Sequence, residues 1–525
     1  MRRAVFVVAI ALASTVTAAA AASDPLAKLG KVHFPISCTP AAQKEFDRAV
    51  ALLHSFFYSA AAGQFTTVAE TDPACAMAHW GVAMAHWYPL WHPPSEAALK
   101  KGLAAVDKAK SLGPKTPRER AYVGAIEQFY RGAGTLDHHA RAALYEKAMA
   151  ELTRLYPDDR EAALFYALAL QATANPTDKT YANQLKSAEI LEKIFAEQRD
   201  HPGAAHYLIH AYDHPSLAPR GLAAARRYDK IAPSVPHALH MPSHTFTQLG
   251  LWAESIKANR ASEAAARELG DTGLRFHSLD YQIYAFLQLA QDAEAKRAMQ
   301  RLTEIKTGDA AIGSAPYSVT AAAARYALER KQWAEAAALE PRPSPYPYTE
   351  ANTQFARALG KVRTGDLAGA RKDIQRLSQI QGALLEQKIA YWATAVEVQR
   401  RAATAWLTLA EGQPDEAVRL MRSAADLEGT IDKDPVTPAW LVPARELLGE
   451  MLLEVKQPAA ALREFETSLR NEPNRFNGIY GAARAAEQSG DRDRARGFYA
   501  KLLSLAERAA SDRPEIKQAK TFAGK

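Results

Sequence analysis

Apolar residues recur along most of this chain at the three- and four-residue spacing that places them on one face of a helix. Many of these stretches are rich in alanine, and no run of alternating β-branched residues predicts a strand. Helices with one apolar face cannot bury it alone, whereas stacked helical hairpins bury it against their neighbours. The pattern therefore predicts an all-α superhelix over most of residues 40–510.

The apolar pattern repeats with a period of 34 residues, most clearly near the C-terminus. The marks of one repeat and its successor are Leu448-Gly449, Ala461, Phe465, Pro473, Gly490, Ala495 and Tyr499. Weaker copies of the turn contain Gly250, Gly365 and Gly412. With these marks the chain resembles tetratricopeptide (TPR) proteins. The resemblance implies an α-solenoid of helical hairpins whose concave groove binds a protein or peptide.

Prolines divide the predicted array into two parts. Residues 341–350 carry prolines at alternate positions, which a helix does not accept in its interior. We interpret this stretch as a connector between an N-terminal array (residues 23–340) and a C-terminal array (residues 351–510). Residues 511–525 are basic and are expected to form a frayed tail.

The N-terminus has the pattern of an export signal. Arg2 and Arg3 precede an apolar run over residues 4–16, and small residues around Ala20 and Ala22 offer cleavage sites. The run is too short to span a bilayer, and no later stretch is apolar over a spanning length. Residues 1–22 are therefore predicted to be a signal peptide, and the mature chain is expected to be periplasmic or secreted, without a membrane span.

Composition and charge narrow the class of protein further. Hydrophobic residues make up 48% and charged residues 23% of the 525 positions, which is typical of a folded protein and excludes a disordered or collagen-like chain. The 65 basic and 58 acidic residues leave a net charge of +7. This excess is small and dispersed, so no nucleic-acid partner is expected.

The two cysteines, Cys38 and Cys75, both lie in the predicted mature chain. In an oxidising compartment they are expected to form a disulfide. The alternative, a pair of thiolate metal ligands or a redox couple, lacks the Cys-x-x-Cys spacing typical of such sites.

Histidines are concentrated in the middle of the chain, where seven of the 15 fall between residues 206 and 277. They are His206, His210, His214, His237, His240, His244 and His277. His206 and His240 are 34 residues apart, as are His210 and His244, so each pair occupies the same place in successive repeats. The resemblance implies that all seven line one groove over three consecutive repeats.

Imidazoles four residues apart on a helix can bind one metal ion together, and imidazole suits zinc, copper, nickel or iron. We predict a transition-metal site, with zinc or copper preferred, whose ligands are His206, His210, His240, His244 and His277. His237 and Tyr284 are expected beside it in the groove, with Asp213 and Asp280 as further ligands or as acceptors for an imidazole N–H. His214 is the weakest candidate, because Asp213-His214-Pro215 is typical of a helix end.

Pro242 weakens the prediction for His240, and the histidines outside the cluster are interpreted separately. Pro242 falls inside a predicted helix, which would place His240 on a turn if the helix begins at that proline. His33, His54, His138, His139 and His201, outside the cluster, are interpreted by default as solvated or hydrogen-bonded side chains.

Three functions remain open from the sequence. The first is an exported scaffold or binding protein, in a histidine-rich subgroup of exported bacterial TPR proteins, that holds a metal and a partner. The second is a metal-dependent hydrolase or oxidase, which would have to use the histidines directly, because His-Glu-x-x-His, phosphate-binding and dinucleotide motifs are missing. The third is a metal-free groove for peptides or anions that binds more strongly when the histidines are protonated.

Overall fold

A computed structural model describes residues 24–90, 93–306, 314–342 and 344–524. The predicted signal peptide, residues 1–22, lies outside this part of the chain. No β-strand occurs among the described residues, and none of their helices is long and apolar enough to cross a membrane.

The described residues form a succession of helices joined by short turns. These helices are α1 (Pro40–His54), α2 (Tyr58–Thr71), α3 (Ala76–Ala85), α4 (Glu96–Leu112), α5 (Pro117–Arg131), α6 (His138–Leu155), α7 (Arg160–Ala172), α8 (Ala182–Glu197), α9 (Pro202–Ala211), α10 (Ala218–Ile231), α11 (Pro236–His240), α12 (Pro242–Gln248), α13 (Trp252–Glu268), α14 (Thr272–Gln288), α15 (Asp292–Glu304), α16 (Ser314–Glu329), α17 (Trp333–Ala337), α18 (Pro347–Thr364), α19 (Leu367–Glu386), α20 (Ala390–Ala410), α21 (Pro414–Glu428), α22 (Ala444–Glu454), α23 (Pro458–Asn471), α24 (Phe476–Gln488), α25 (Arg492–Leu505) and α26 (Pro514–Phe522).

The helices pack as hairpins whose first members stack on one another. Each helix contacts the next along the chain, and helices two apart also meet: α14 contacts α16, α16 contacts α18, α18 contacts α20 and α22 contacts α24. This pairing confirms the predicted all-α solenoid. We call the stacked first members the inner helices; in the second half of the chain they are α14, α16, α18, α20, α22 and α24, and α9, α11 and α12 continue the layer toward the N-terminus.

Residues 341–350 do not separate two apolar cores. Helix α18 begins inside this stretch, because Pro347 occupies the first helical turn, where the missing N–H costs no hydrogen bond. Helices on both sides of the stretch, α16 and α18, share one apolar core. A separate core spans Leu29 to Phe246, so the apolar packing divides nearer residue 250.

The predicted frayed tail is instead partly helical. Helix α26 buries Ile516 and Ala519, which are three residues apart and share one face. The guanidinium of Arg513 just before it donates to Asp292 at 3.0 Å. The prediction of a frayed end was wrong because it weighed the basic residues and missed this short apolar face.

The disulfide between Cys38 and Cys75 is present, with an S–S distance of 2.03 Å. It joins the bend before α1 to the N-cap of α3. The expected pairing is therefore confirmed.

The inner face of the middle repeats is covered by the chain itself. Residues 429–443, which join α21 to α22 and which we call the inserted segment, reach across to α14 and α16. The Tyr281 hydroxyl lies 3.4 Å from the carbonyl of Thr437, and Arg325 donates to the Thr437 hydroxyl at 2.6 Å. Farther along, the turn at Asn474 accepts a hydrogen bond from the indole of Trp252 at 2.8 Å. The predicted groove is thus filled here rather than open.

Candidate metal centre

Six of the seven clustered histidines come together inside the inner layer. Helix α9 supplies two, α11 supplies two, and α12 and α14 supply one each. They form two groups, each with its ligand nitrogens within 4.8 Å of one another. We call His206, His210 and His237 the first trio and His240, His244 and His277 the second trio. Together they are the histidine cluster.

A break between two short helices places three of these side chains. Helix α11 ends at His240 and α12 begins at Pro242, as the proline suggested. Met241 between them keeps helical backbone angles, with φ −52° and ψ −37°. The chain therefore continues in nearly the same direction across the break. The rings of His240 and His244 still face each other, with centroids 4.9 Å apart.

Two imidazoles of the second trio point their Nε2 atoms at each other. His240 Nε2 and His244 Nε2 are 3.0 Å apart. The Nδ1–H of His240 donates to the amide oxygen of Asn259 at 2.6 Å, and that amide is oriented because its nitrogen donates to the carbonyl of Ser255. The Nδ1–H of His244 donates to a carboxylate oxygen of Asp213 at 2.8 Å. Both protons are thus committed to Nδ1, and two Nε2 lone pairs face each other.

Asp213 is held as an acceptor in this arrangement. Its side chain also accepts from Lys433 at 3.2 Å and from Gln248 at 3.1 Å. Burial alone would raise the pKa of Asp213, but Lys433 and His244 lower this pKa well below its usual range. The carboxylate therefore orients His244, which is one of the two roles that the sequence suggested for it.

The first trio has a similar construction. The Nδ1–H of His206 donates to the main-chain carbonyl of His54 at 2.6 Å. His206 Nε2 lies 3.2 Å from His237 Nε2. The third member, His210, has a buried Nε2 atom without a hydrogen-bond partner. One imidazole is thus anchored through Nδ1, with its Nε2 directed toward the other members.

His277 completes the second trio with an imidazole that makes no hydrogen bond. Both of its ring nitrogens are buried and lack a partner among the described residues. Its ring packs 4.3 Å from that of His240, centroid to centroid. Burying an unpaired polar group is costly, so these two nitrogens are available to a water molecule or another ligand.

Burial favours the neutral form of the imidazoles in the cluster. Removal from water lowers the pKa of every histidine in the two trios, because it penalises the imidazolium, and neighbouring imidazoles lower most of these pKa values further. Neutral imidazole is the form that binds a metal ion.

A third group of buried ligand-type side chains is fully hydrogen-bonded. His54 and His201 each contact a different oxygen of Glu161, at 2.8 and 2.9 Å. The remaining nitrogen of His54 contacts the Tyr207 hydroxyl at 2.8 Å. These contacts agree with the default interpretation of both histidines, and they fix the end of α1 whose carbonyl anchors His206.

Three predicted site residues are engaged elsewhere. The His214 Nδ1 atom is 2.9 Å from Asp432 in the inserted segment. Asp280 forms a buried ion pair with Arg325. The Tyr284 hydroxyl accepts from Arg475 at 2.9 Å. Asp280 and Tyr284 lie on α14 together with His277, but Arg325 of the next inner helix binds Asp280 and Arg475 of a distant repeat binds Tyr284.

Sequence reasoning also missed part of the site. His237 was expected beside the ligands and instead belongs to the first trio. Asn259 and Lys433 were not considered. Asn259 lies on α13 and carries no local signal, and Lys433 lies in a segment without helical periodicity.

A cavity of about 360 Å³ adjoins the cluster. His210 and Asp213 line it on the side of the cluster, and Gln184, Tyr391 and Lys433 are among its other walls. It is large enough for water and small polar molecules to approach the first trio.

No protein family and no curated protein matches the chain. Among solved structures, it aligns with yeast Tom70 at 13% identity over 92% of this chain and 95% of that one, with a TM-score of 0.35. It aligns with the APC/C hetero-tetramer Cut9–Hcn1 at 11% identity over 91% of this chain and 96% of that one, with a TM-score of 0.32. It aligns with the Naa15/Naa10 complex bound to HypK-THB at 12% identity over 92% of this chain and 72% of that one, with a TM-score of 0.25. The fold assignment rests on the helix pairing described above.

Proposed function

We propose that the chain is an exported scaffold protein whose histidine cluster binds a transition-metal ion, zinc or copper. The observation that carries the proposal is the opposed pair of Nε2 atoms in the second trio, 3.0 Å apart with both Nδ1 protons engaged elsewhere. Two lone pairs at this distance repel each other unless a cation lies against both. Nitrogens bound to one tetrahedral zinc ion lie about 3.3 Å apart, given Zn–N distances of about 2.0–2.1 Å.

The surroundings of the trio support the same proposal. Histidine ligands of metals commonly donate their other ring N–H to a carboxylate or a carbonyl, which fixes the ring and raises its basicity. Asp213 and Asn259 hold His244 and His240 in this way. His277 adds a third imidazole whose buried nitrogens have no other partner.

Export is supported by two independent features. The N-terminal residues have the composition of a signal peptide, and Cys38 and Cys75 form a disulfide, a bond that persists in oxidising compartments. Both features support a proposed location in a periplasm or outside the cell.

Metal titration of the tag-free mature protein tests the proposal. We expect saturable zinc uptake, and a His240→Gln/His244→Gln variant should bind that ion with an affinity lower by roughly 100-fold or more while keeping its helicity. The matched control is His33→Gln/His139→Gln, which removes two imidazoles exposed at the surface. Equal zinc stoichiometry and equal zinc affinity in the cluster variant and the wild type would overturn the proposal.

The cavity beside His210 favours a second candidate, a metal-dependent hydrolase or oxidase. Three protein ligands leave a coordination position for water or substrate, and the cavity offers space for a small polar molecule. Metal-loaded protein would then turn over esters or phenols and lose this activity on chelation. A metal-free peptide groove is less well supported, because the inserted segment occupies the inner face. We infer that a protein or peptide partner would bind a surface outside this covered region.

A further inference from the structure

The two trios are parts of one contiguous cluster. Rings of different trios lie at distances that also occur within a trio: His210 and His244 are 5.9 Å apart between centroids, and His237 and His240 are 6.0 Å apart. Within the trios these centroid distances range from 4.3 to 6.5 Å. Two ions bound at the trios would therefore be immediate neighbours.

The trios also share their design. Each contains a pair of Nε2 atoms in close opposition, at 3.2 Å in the first and 3.0 Å in the second. Each contains an imidazole anchored through Nδ1 to a fixed oxygen, and each contains one imidazole with a buried nitrogen that lacks a partner. The 34-residue repeat explains part of the likeness, because His206 and His240, which are both anchored through Nδ1, occupy equivalent positions.

We propose that the histidine cluster is a dinuclear metal centre, in which each trio binds one ion and the two ions share a bridging ligand. This inference rests on the proposed function and extends it from one ion to a coupled pair. Paired sites of this kind hold their ions about 3.5–4 Å apart. All six protein ligands are neutral, so two buried cations require an anion. Hydroxide is the simplest bridge, and it forms when a water molecule binds both ions and releases one proton to the solvent. The cavity at His210 provides its route.

Copper loading distinguishes one ion from two. We expect elemental analysis to give two equivalents of copper per chain after removal of loosely bound metal. If the two Cu(II) ions share a bridge, their spins couple, and the integrated electron paramagnetic resonance signal should fall far below two spins per chain. X-ray absorption should show a metal–metal distance of about 3.5–4 Å.

His210→Gln and His277→Gln form a matched pair of variants. Each removes an imidazole from one trio whose buried nitrogen holds no hydrogen bond, so the fold should tolerate the change. Each variant should retain one equivalent of copper with a full spin. A third variant, His214→Gln, removes an imidazole outside the cluster and should keep two coupled ions.

The outcomes separate this inference from the function on which it rests. Two equivalents with uncoupled spins, or two coupled ions retained by His210→Gln, would overturn the dinuclear centre. One equivalent that is lost in His277→Gln and kept in His210→Gln would overturn it as well but leave the proposed metal-binding function standing. No uptake of copper or zinc by the wild type would overturn both.

Discussion

The carboxylate of Asp213 is expected to influence how tightly the histidine cluster binds zinc. It accepts the Nδ1–H of His244 at 2.8 Å and is itself paired with Lys433 at 3.2 Å. We expect Asp213→Asn to weaken zinc binding by about 10–100-fold, because an amide oxygen is a weaker acceptor and leaves His244 less basic. Isothermal titration with zinc measures the change.

Asp432 offers the matched control for this prediction. It contacts the Nδ1 atom of His214 at 2.9 Å, so the chemistry is the same, but His214 lies outside the cluster. Asp432→Asn should leave zinc affinity unchanged. Equal losses in both variants would mean that Asp213 acts on overall stability rather than on His244.

The raised pKa of the Glu472 carboxyl predicts that the free energy of unfolding depends on pH. Burial raises the pKa of Glu472 from 4.5 to about 7, although nearby Arg475 opposes the shift. The folded state therefore binds the proton more tightly than the unfolded state. This contribution to stability is complete below pH 4.5 and is lost as pH rises through 7, by about 3 kcal/mol in total. In Glu472→Gln this loss should be missing.

Urea unfolding at several pH values between 5 and 8 tests the Glu472 prediction. The difference in unfolding free energy between Glu472→Gln and wild type should grow in favour of the variant as pH rises. Glu507→Gln, which changes an exposed carboxylate, should give a profile parallel to wild type. A parallel profile for Glu472→Gln would contradict the prediction.

The sequence predicted that the histidines cluster, but it did not predict the groups that anchor their rings. The 34-residue spacing of His206 with His240 is a local, periodic signal, and both residues lie in the cluster that the structure shows. The anchors of these rings carry no such signal. Asn259 comes from the adjacent helix α13, and the carbonyl of His54 comes from α1, so both contacts form only when the repeats pack.

At the level of elements, Gly250 controls how the turn before α13 meets the C-terminal repeats. Its φ angle is +65°, and an added Cβ would lie 2.2 Å from the carbonyl oxygen of Pro473. Gly250→Ala should therefore suffer both left-handed backbone strain, about 1–2 kcal/mol, and a clash of about 1–3 kcal/mol. Chemical unfolding should show a combined loss within the sum of these ranges.

Gly270 separates the two contributions. Its φ angle is +71°, and nothing lies within 4 Å of an added Cβ. Gly270→Ala should lose only the backbone part, about 1–2 kcal/mol. If the two variants are equally destabilised, the contact between Gly250 and Pro473 does not contribute to stability.

The inserted segment should control how fast a bound metal leaves the cluster. Thr437 fixes it by accepting from Arg325 at 2.6 Å and donating to the Ala439 carbonyl at 2.6 Å. Thr437→Val keeps the shape and removes these bonds, so local opening should become about tenfold more frequent. The rate of zinc transfer to a chelator should rise by the same factor. Thr430→Val, in the exposed part of the segment, should transfer zinc at the wild-type rate.

Local elements were more predictable than their assembly. Proline is favoured in the first turn of a helix, so Pro242 indicated where α12 could begin. Helix α12 does begin at Pro242. The position of the inserted segment had no such marker. Its contact between Lys433 and Asp213 joins residues 220 apart in sequence, and helical periodicity says nothing about contacts between distant repeats.

The whole molecule combines a repeat array with contacts between distant repeats, which we call the closure. One core spans Leu29 to Phe246, a second extends from Ala290 to Ala519, and a smaller third core lies between Trp252 and Ala439. In an open solenoid each repeat is stabilised by its neighbours alone. Here the turn at Asn474 and the inserted segment also tie the C-terminal repeats to α12–α16. The histidine cluster lies where the first core meets this closure.

Removal of the disulfide tests whether the first and second cores unfold independently or together. Cys38 and Cys75 are 37 residues apart, and closing a loop of this length is worth about 4 kcal/mol in the chain-entropy account. A Cys38→Ala/Cys75→Ala variant should therefore exchange amide hydrogens much faster in α1–α3, which belong to the first core. Helices α19–α25, in the second core, should keep their wild-type protection, because neighbouring repeats stabilise them. Faster exchange throughout the chain would instead show that closure makes the cores unfold as one unit. Wild-type protein under reducing conditions should reproduce the exchange pattern of the variant.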